Sequence, residues 1–110
     1  MSQVCKIDTI RTLAFGSISG SYTAVGGTTT NATRLFCITN NTDGDMFFSD
    51  DGINNKLFLP ASSFKLFDIC SNRDDVNGVY LLPSSMQWYV KQSTSPTKGA
   101  VYIELLYGMQ

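Results

Sequence analysis

Between Arg34 and Leu59 the chain carries three short runs rich in apolar and aromatic residues, Arg34 to Asn40, Met46 to Phe48 and Lys56 to Leu59. A turn cluster containing Asp-Gly separates each run from the next, Asp43-Gly44 first and Asp51-Gly52 with Asn54-Asn55 second. Asp-Gly between apolar runs is among the strongest short-range signals for antiparallel strand pairing, because both residues tolerate the positive φ of a tight turn. The rest of the sequence repeats this grammar, which predicts an all-β fold.

Taken in order, residues 1–9 mix polar and apolar types without alternation and read either as a frayed terminus or as an extended arm that orders against a partner. Ile10 to Ile18 is a strand candidate interrupted at Gly16, Ser19 to Val25 is a second, and 26–31 reads as loop. In Arg34 to Asn40 both alternation sets are apolar, Leu35 and Cys37 against Phe36 and Ile38, the pattern of a strand buried on two sides in mid-sheet. Pro60 ends the run after Lys56 because it has no N–H to donate. Ser63 to Cys70 alternates, with Phe64, Leu66, Asp68 and Cys70 opposed by Lys65, Phe67 and Ile69, and Val79 to Leu82 follows an Asn77-Gly78 turn. Met86, Trp88 and Val90 share a face in the next run, and Ala100 to Tyr107 forms the last. Apolar residues nowhere recur at helical spacing across three turns. Eight or nine short strands with Gly, Pro, Asn or Asp between them predict an antiparallel β-sandwich or jelly roll over residues 10–110, with 1–9 as an N-terminal arm.

At 110 residues a chain buries roughly 65% of its unfolded surface, enough for a core without metal or disulfide support. Charged residues make up 15% of the sequence against about 25% in an ordinary globular domain, so part of the surface is expected to be covered by something other than water. A net charge of −1 offers no basic footprint for nucleic acid, and no run approaches the ~18 apolar residues of a membrane span. Cys5, Cys37 and Cys70 are odd in number and widely spaced; Cys37 and Cys70 read as small buried hydrophobes, which fits a reducing compartment.

The sequence contains no histidine, which removes the common nucleophile–base pairs, His-ligated metals and the usual general base near neutral pH. No phosphate-loop, dinucleotide or nucleophile-elbow motif is present. The pairs Asp43 with Asp45, Asp50 with Asp51 and Asp74 with Asp75 offer carboxylates for glycoside hydrolysis or calcium, but each lies beside Gly or Asn, where Asp bonds its own local backbone. No enzyme activity, cofactor or metal is expected. Trp88 with Tyr89 suggests a sugar-stacking platform in a carbohydrate-binding module; the competing reading makes Trp88 a core residue in line with Met86 and Val90.

A sandwich of this size needs one apolar face per strand, yet Phe47, Phe58, Phe67, Tyr80, Tyr89, Tyr102 and Leu106 lie on sets opposite to other apolar residues. Such a surplus predicts burial against other chains. The candidate contact residues are Val4 and Ile7 in the arm and the aromatics Phe47, Phe58, Tyr89 and Tyr102.

The phrases Arg11 to Tyr22, Thr39 to Asp45, Phe64 to Asp68, Tyr89 to Ser93 and Val101 to Glu104 resemble a group of small virion structural proteins of tailed bacteriophages, especially short-tailed ones. The likeness implies a β-sandwich in the virion, assembled in the host cytoplasm. It also implies a capsid decoration or cement protein bridging major capsid subunits, or a portal, neck or tail component, in either case as a homo-oligomer with virion proteins as partners.

Overall fold

The computed structural model describes residues 4–68 and 82–109, and the side chains of 6–68 and 82–107. Nine strands are present among them: β1 (Val4–Ile7), β2 (Arg11–Ala14), β3 (Thr23–Ala24), β4 (Thr33–Thr42), β5 (Met46–Ser49), β6 (Leu57–Leu59), β7 (Ser63–Asp68), β8 (Tyr89–Gln92) and β9 (Gly99–Met109). They form two antiparallel sheets. The larger has the order β1-β9-β4-β7, with β2 also pairing β9, and the smaller has the order β3-β8-β5-β6.

The long strands β4 and β9 are the spine of the larger sheet. Both are rich in β-branched and aromatic residues, which suit a pleated and half-buried surface. They pair from Thr42 opposite Gly99 to Thr33 opposite Tyr107, with a bulge between Thr33 and Leu35. Gly99 starts β9 at φ 91°, so close to β4 that a Cβ there would sit 1.9 Å from the Asn41 carbonyl oxygen.

The core lies between the sheets. Phe36, Ile38, Val101, Ile103 and Leu105 from the larger sheet meet Met46, Phe48, Leu59 and Val90 from the smaller one, all buried. Trp88 and Met86 close one end, with the Phe36 and Trp88 rings 5.0 Å apart. Arg11 sits on the inward set of β2 and spends its guanidinium on the loop that follows β3, bonding the carbonyls of Gly27 and Thr28, while an ion pair to Asp8 at 3.2 Å holds it from the other side.

Several sequence expectations change. The strand expected over Ile10 to Ile18 stops at Ala14 and gives way to a 3-10 turn over Phe15–Ser17. Ser19 to Val25 contributes only Thr23–Ala24. Within the expected arm, Val4–Ile7 pairs with Met109 to Leu106 as a sheet strand. Met86 to Lys91 is strand only from Tyr89; of Val79 to Leu82 only Leu82 is described, bridging Thr33, and Cys70 and the Asp74 and Asp75 pair lie outside the described residues.

The two Asp-Gly clusters do different work. Asp51-Gly52 joins β5 to β6, which pair directly. Asp43-Gly44 instead carries the chain from β4 in one sheet to β5 in the other. This corner is organised by the buried Asn40, whose Nδ2 donates to the carbonyls of Gly44 (2.9 Å), Leu59 (3.1 Å) and Pro60 (3.1 Å). Its Oδ1 accepts from the Thr42 amide and hydroxyl. With the Thr42 hydroxyl, which donates to the Gly44 carbonyl and accepts the Gly44 N–H, Asn40 satisfies the polar backbone where the chain changes sheets, which a buried corner requires.

Candidate interaction face

Partners across an antiparallel ladder point to the same side of the sheet, so the register defines the outer face of the larger sheet residue by residue. One ladder runs Phe64, Thr39, Tyr102, Thr12; the next runs Leu66, Cys37, Glu104; the third runs Asp68, Leu35, Leu106, Ile7. Phe64 is 67%, Leu66 58% and Ile7 79% exposed, while Leu35, Cys37, Tyr102 and Leu106 are half-buried. None of these ladder positions is basic, and Glu104 stands alone among apolar neighbours at the centre.

The two-sided apolar pattern of Arg34 to Asn40 has its explanation here. β4 does run through mid-sheet, but only Phe36, Ile38 and Asn40 face the core; Leu35 and Cys37 face outward. Cys37 is thus a free, half-buried thiol of the outer face, not an interior hydrophobe. On β7 the expected surplus is reversed. Phe67 is the inward residue, stacked on Phe36 at 4.8 Å, and Phe64 and Leu66 are the outward ones.

The outer face of the smaller sheet has a different composition. Phe58, Phe47 and Lys91 share one ladder and Tyr89 lies in the next, opposite Ala24 and Ser49. The Phe47 and Phe58 rings lie 5.2 Å apart, and Phe58 is 38% exposed. The Lys91 ammonium lies 5.8 Å from the Phe47 ring centre and 5.0 Å from that of Tyr22, a cation held over aromatic faces. Tyr89 is half-buried with its ring against Gly52, where an added Cβ would come within 3.3 Å.

The candidate contact residues therefore fall on two flanks. Ile7 and Tyr102 belong to the larger sheet; Phe47, Phe58 and Tyr89 belong to the smaller; Val4 lies in β1, and its side chain is outside the described set. Phe64, Leu66, Leu35 and Cys37 were absent from the sequence-based set. Their signal was the double alternation of β4 and β7, which does not say which set faces out.

The acidic turns are structural. The Asp51 carboxylate accepts from the Ser49 hydroxyl and from the Ile53 and Asn54 amides, which holds it far below the usual carboxylate range. Asp43 is held low by the Thr97 hydroxyl and amide, and Asp45 accepts from the Ala61 amide at 2.9 Å. Among the described residues no three potential metal ligands are grouped. No helix among the described residues is long and apolar enough to cross a membrane.

Trp88 is 4% exposed and packed on Phe36, so it presents no open ring face to a sugar. With Phe36, Leu57, Leu82, Met86 and the charged Asp50 and Lys56 it lines an open pocket of about 130 Å³, and its indole N–H, also buried, has no hydrogen-bond partner among the described residues.

Fold and surface together define an antiparallel β-sandwich with Ile7, Phe64 and Leu66 exposed on the outer face of its larger sheet. No family model matches the chain, and no curated protein matches it. Among solved structures it is similar to the Dit protein of SPP1, a crystal structure described as a paradigm of the hub adsorption apparatus in phages infecting Gram-positive hosts. The likeness has a TM-score of 0.42 and 16% identity, over 96% of this chain and 49% of that one. The chain thus spans about half the length of that protein.

Proposed function

We propose that this chain is a structural protein of the tailed-bacteriophage virion, seated at the head–tail junction or in the tail and working by packing against neighbours. The observation that carries this reading is the pair of unlike apolar flanks: Phe64, Leu66 and Ile7 exposed on one sheet, Phe58 with Phe47 on the other. Exposed apolar patches of this kind mark surfaces that are covered in use. The resemblance of its strand and turn phrases to those of small phage virion proteins supplies the setting. A member of a ring meets a neighbour on each side, and two distinct apolar flanks suit that arrangement.

Copy number separates the positions. Quantitative mass spectrometry of purified particles is expected to find this chain at a ring-sized stoichiometry, with antibody labelling at the tail vertex. Stoichiometry matching the shell lattice, with label over the whole head, would return the protein to the cement role. Absence from particles would end the virion reading.

A further inference from the structure

We infer that the outer face of the larger sheet docks on the smaller-sheet face of a second copy of this chain, with Glu104 of one meeting Lys91 of the other. The inference rests on the assembly reading above and names the occupant of the face. Its basis is a match of spacing and charge between the two flanks. On the larger sheet, Leu66, Cys37 and Glu104 lie in one ladder across three adjacent strands, apolar at the sheet edge and acidic two strands inward. On the smaller sheet, Phe58, Phe47 and Lys91 lie in one ladder across three adjacent strands, apolar at the edge and basic two strands inward. Neighbouring strands are ~4.8 Å apart, so both ladders separate their exposed apolar residue from their charge by about 10 Å. Laid face to face, the two ladders set Leu66 against the Phe58 and Phe47 rings and the carboxylate against the ammonium.

The charges also argue against the symmetric alternatives. Pairing two larger-sheet faces buries two Glu104 carboxylates in a contact whose ladder positions supply no cation, and desolvating unpaired charges is costly. Pairing two smaller-sheet faces buries two Lys91 ammoniums in a contact whose ladder positions supply no carboxylate. The face-to-back contact instead pairs Glu104 with Lys91 and leaves Asp68 at the sheet edge, and Lys91 is already held outward over Tyr22 and Phe47. Such a contact uses different surfaces on its two sides, so it closes into a ring when the rotation per copy allows.

Sedimentation of the purified chain over a hundredfold range of concentration tests this. The wild type is expected to associate, and Glu104→Lys or Lys91→Glu alone to raise the dissociation midpoint by about tenfold or more. The two mutants mixed, or the double mutant, are expected to recover most of that loss, because each then restores an opposite-charge pair. Leu66→Asp, at an exposed edge position that folding does not need, is expected to give a folded monomer. A wild type that stays monomeric throughout overturns the inference, and so does a double charge reversal no better than the single ones. Loss of association in Leu66→Asp with none in either charge variant would mean that the larger-sheet face meets a different surface of the second copy, and overturns it as well. Self-association without incorporation into particles removes the virion reading and leaves the inference standing; incorporation without self-association does the reverse.

Discussion

The rings of Phe36 and Phe67 stack at 4.8 Å and 19° across the β4–β7 ladder, and this contact fixes which side of β7 faces the core. Phe64 and Leu66, one residue out of phase with it, are turned outward. Phe67→Ala is expected to cost about 2–3 kcal/mol, less than a fully enclosed phenylalanine because the ring lies at a sheet edge. Phe64→Ala and Leu66→Ala are expected to change stability by no more than about 0.5 kcal/mol. Urea unfolding of dilute protein measures all three, and equal losses at Phe64 and Phe67 would reverse the assigned face.

Asn40 is fully buried, and Asn40→Ala takes its amide from the Leu59 carbonyl and its oxygen from the Thr42 N–H, while the Gly44 and Pro60 carbonyls keep the Thr42 and Ser63 hydroxyls. Each unsatisfied buried group costs roughly 1–3 kcal/mol. A loss of at least ~3 kcal/mol in the same titration is expected, with Asn40→Asp no better because its carboxylate faces those carbonyls.

Gly99 combines φ 91° with a closest approach of 1.9 Å between an added Cβ and the Asn41 oxygen. Gly99→Ala must move β9 away from β4 at the point where their pairing begins. A destabilisation of roughly 3 kcal/mol or more is expected from the urea midpoint, against little change for Gly16→Ala, where an added Cβ meets open space.

Trp88 gives a sharper contrast. Trp88→Ala enlarges an existing open pocket of about 130 Å³ and is expected to cost about 3–5 kcal/mol. Trp88→Phe keeps a ring against Phe36 and removes a buried N–H that has no partner among the described residues, so its cost is expected to stay near 1 kcal/mol. Thermal unfolding of the two variants tests the difference, and equal losses would mean that the indole N–H is satisfied in solution.

Asp43 and Asp51 are both held below the ordinary value of 3.8 by hydrogen bonds to their charged forms. A depressed folded pKa contributes stability that is present above the unfolded value and is lost as pH falls through the folded one. With no histidine in the sequence, the melting temperature is expected to hold level from pH 7 to about 5 and to drop below about pH 4. In Asp51→Asn that acid limb is expected to be shallower, since the variant has no charge there to lose. An unchanged limb would remove Asp51 as a contributor.

Much of this architecture was legible in the residues, because a strand writes a period of two into its sequence and turn chemistry marks its ends. Phe36 and Ile38 on one side of β4, the Trp88 and Val90 pair, and the turn use of Asp43 and Asp51 all follow from that. Parity, however, groups residues without saying which group faces inward. For β7 both groups were apolar, and the contact with Phe36 settled what alternation left open.

Strand content, turn positions and the surplus of apolar side chains are properties of the chain alone, since each depends on neighbours within a few residues. Which surplus residues share a flank, and whether Asp43-Gly44 closes a hairpin or turns between sheets, depends on partners far away in sequence, Thr94 and Leu59 among them. Local spacing cannot encode those partners. Only the packing of the two sheets brings Leu66, Cys37 and Glu104 onto one ladder, and Phe58, Phe47 and Lys91 onto another.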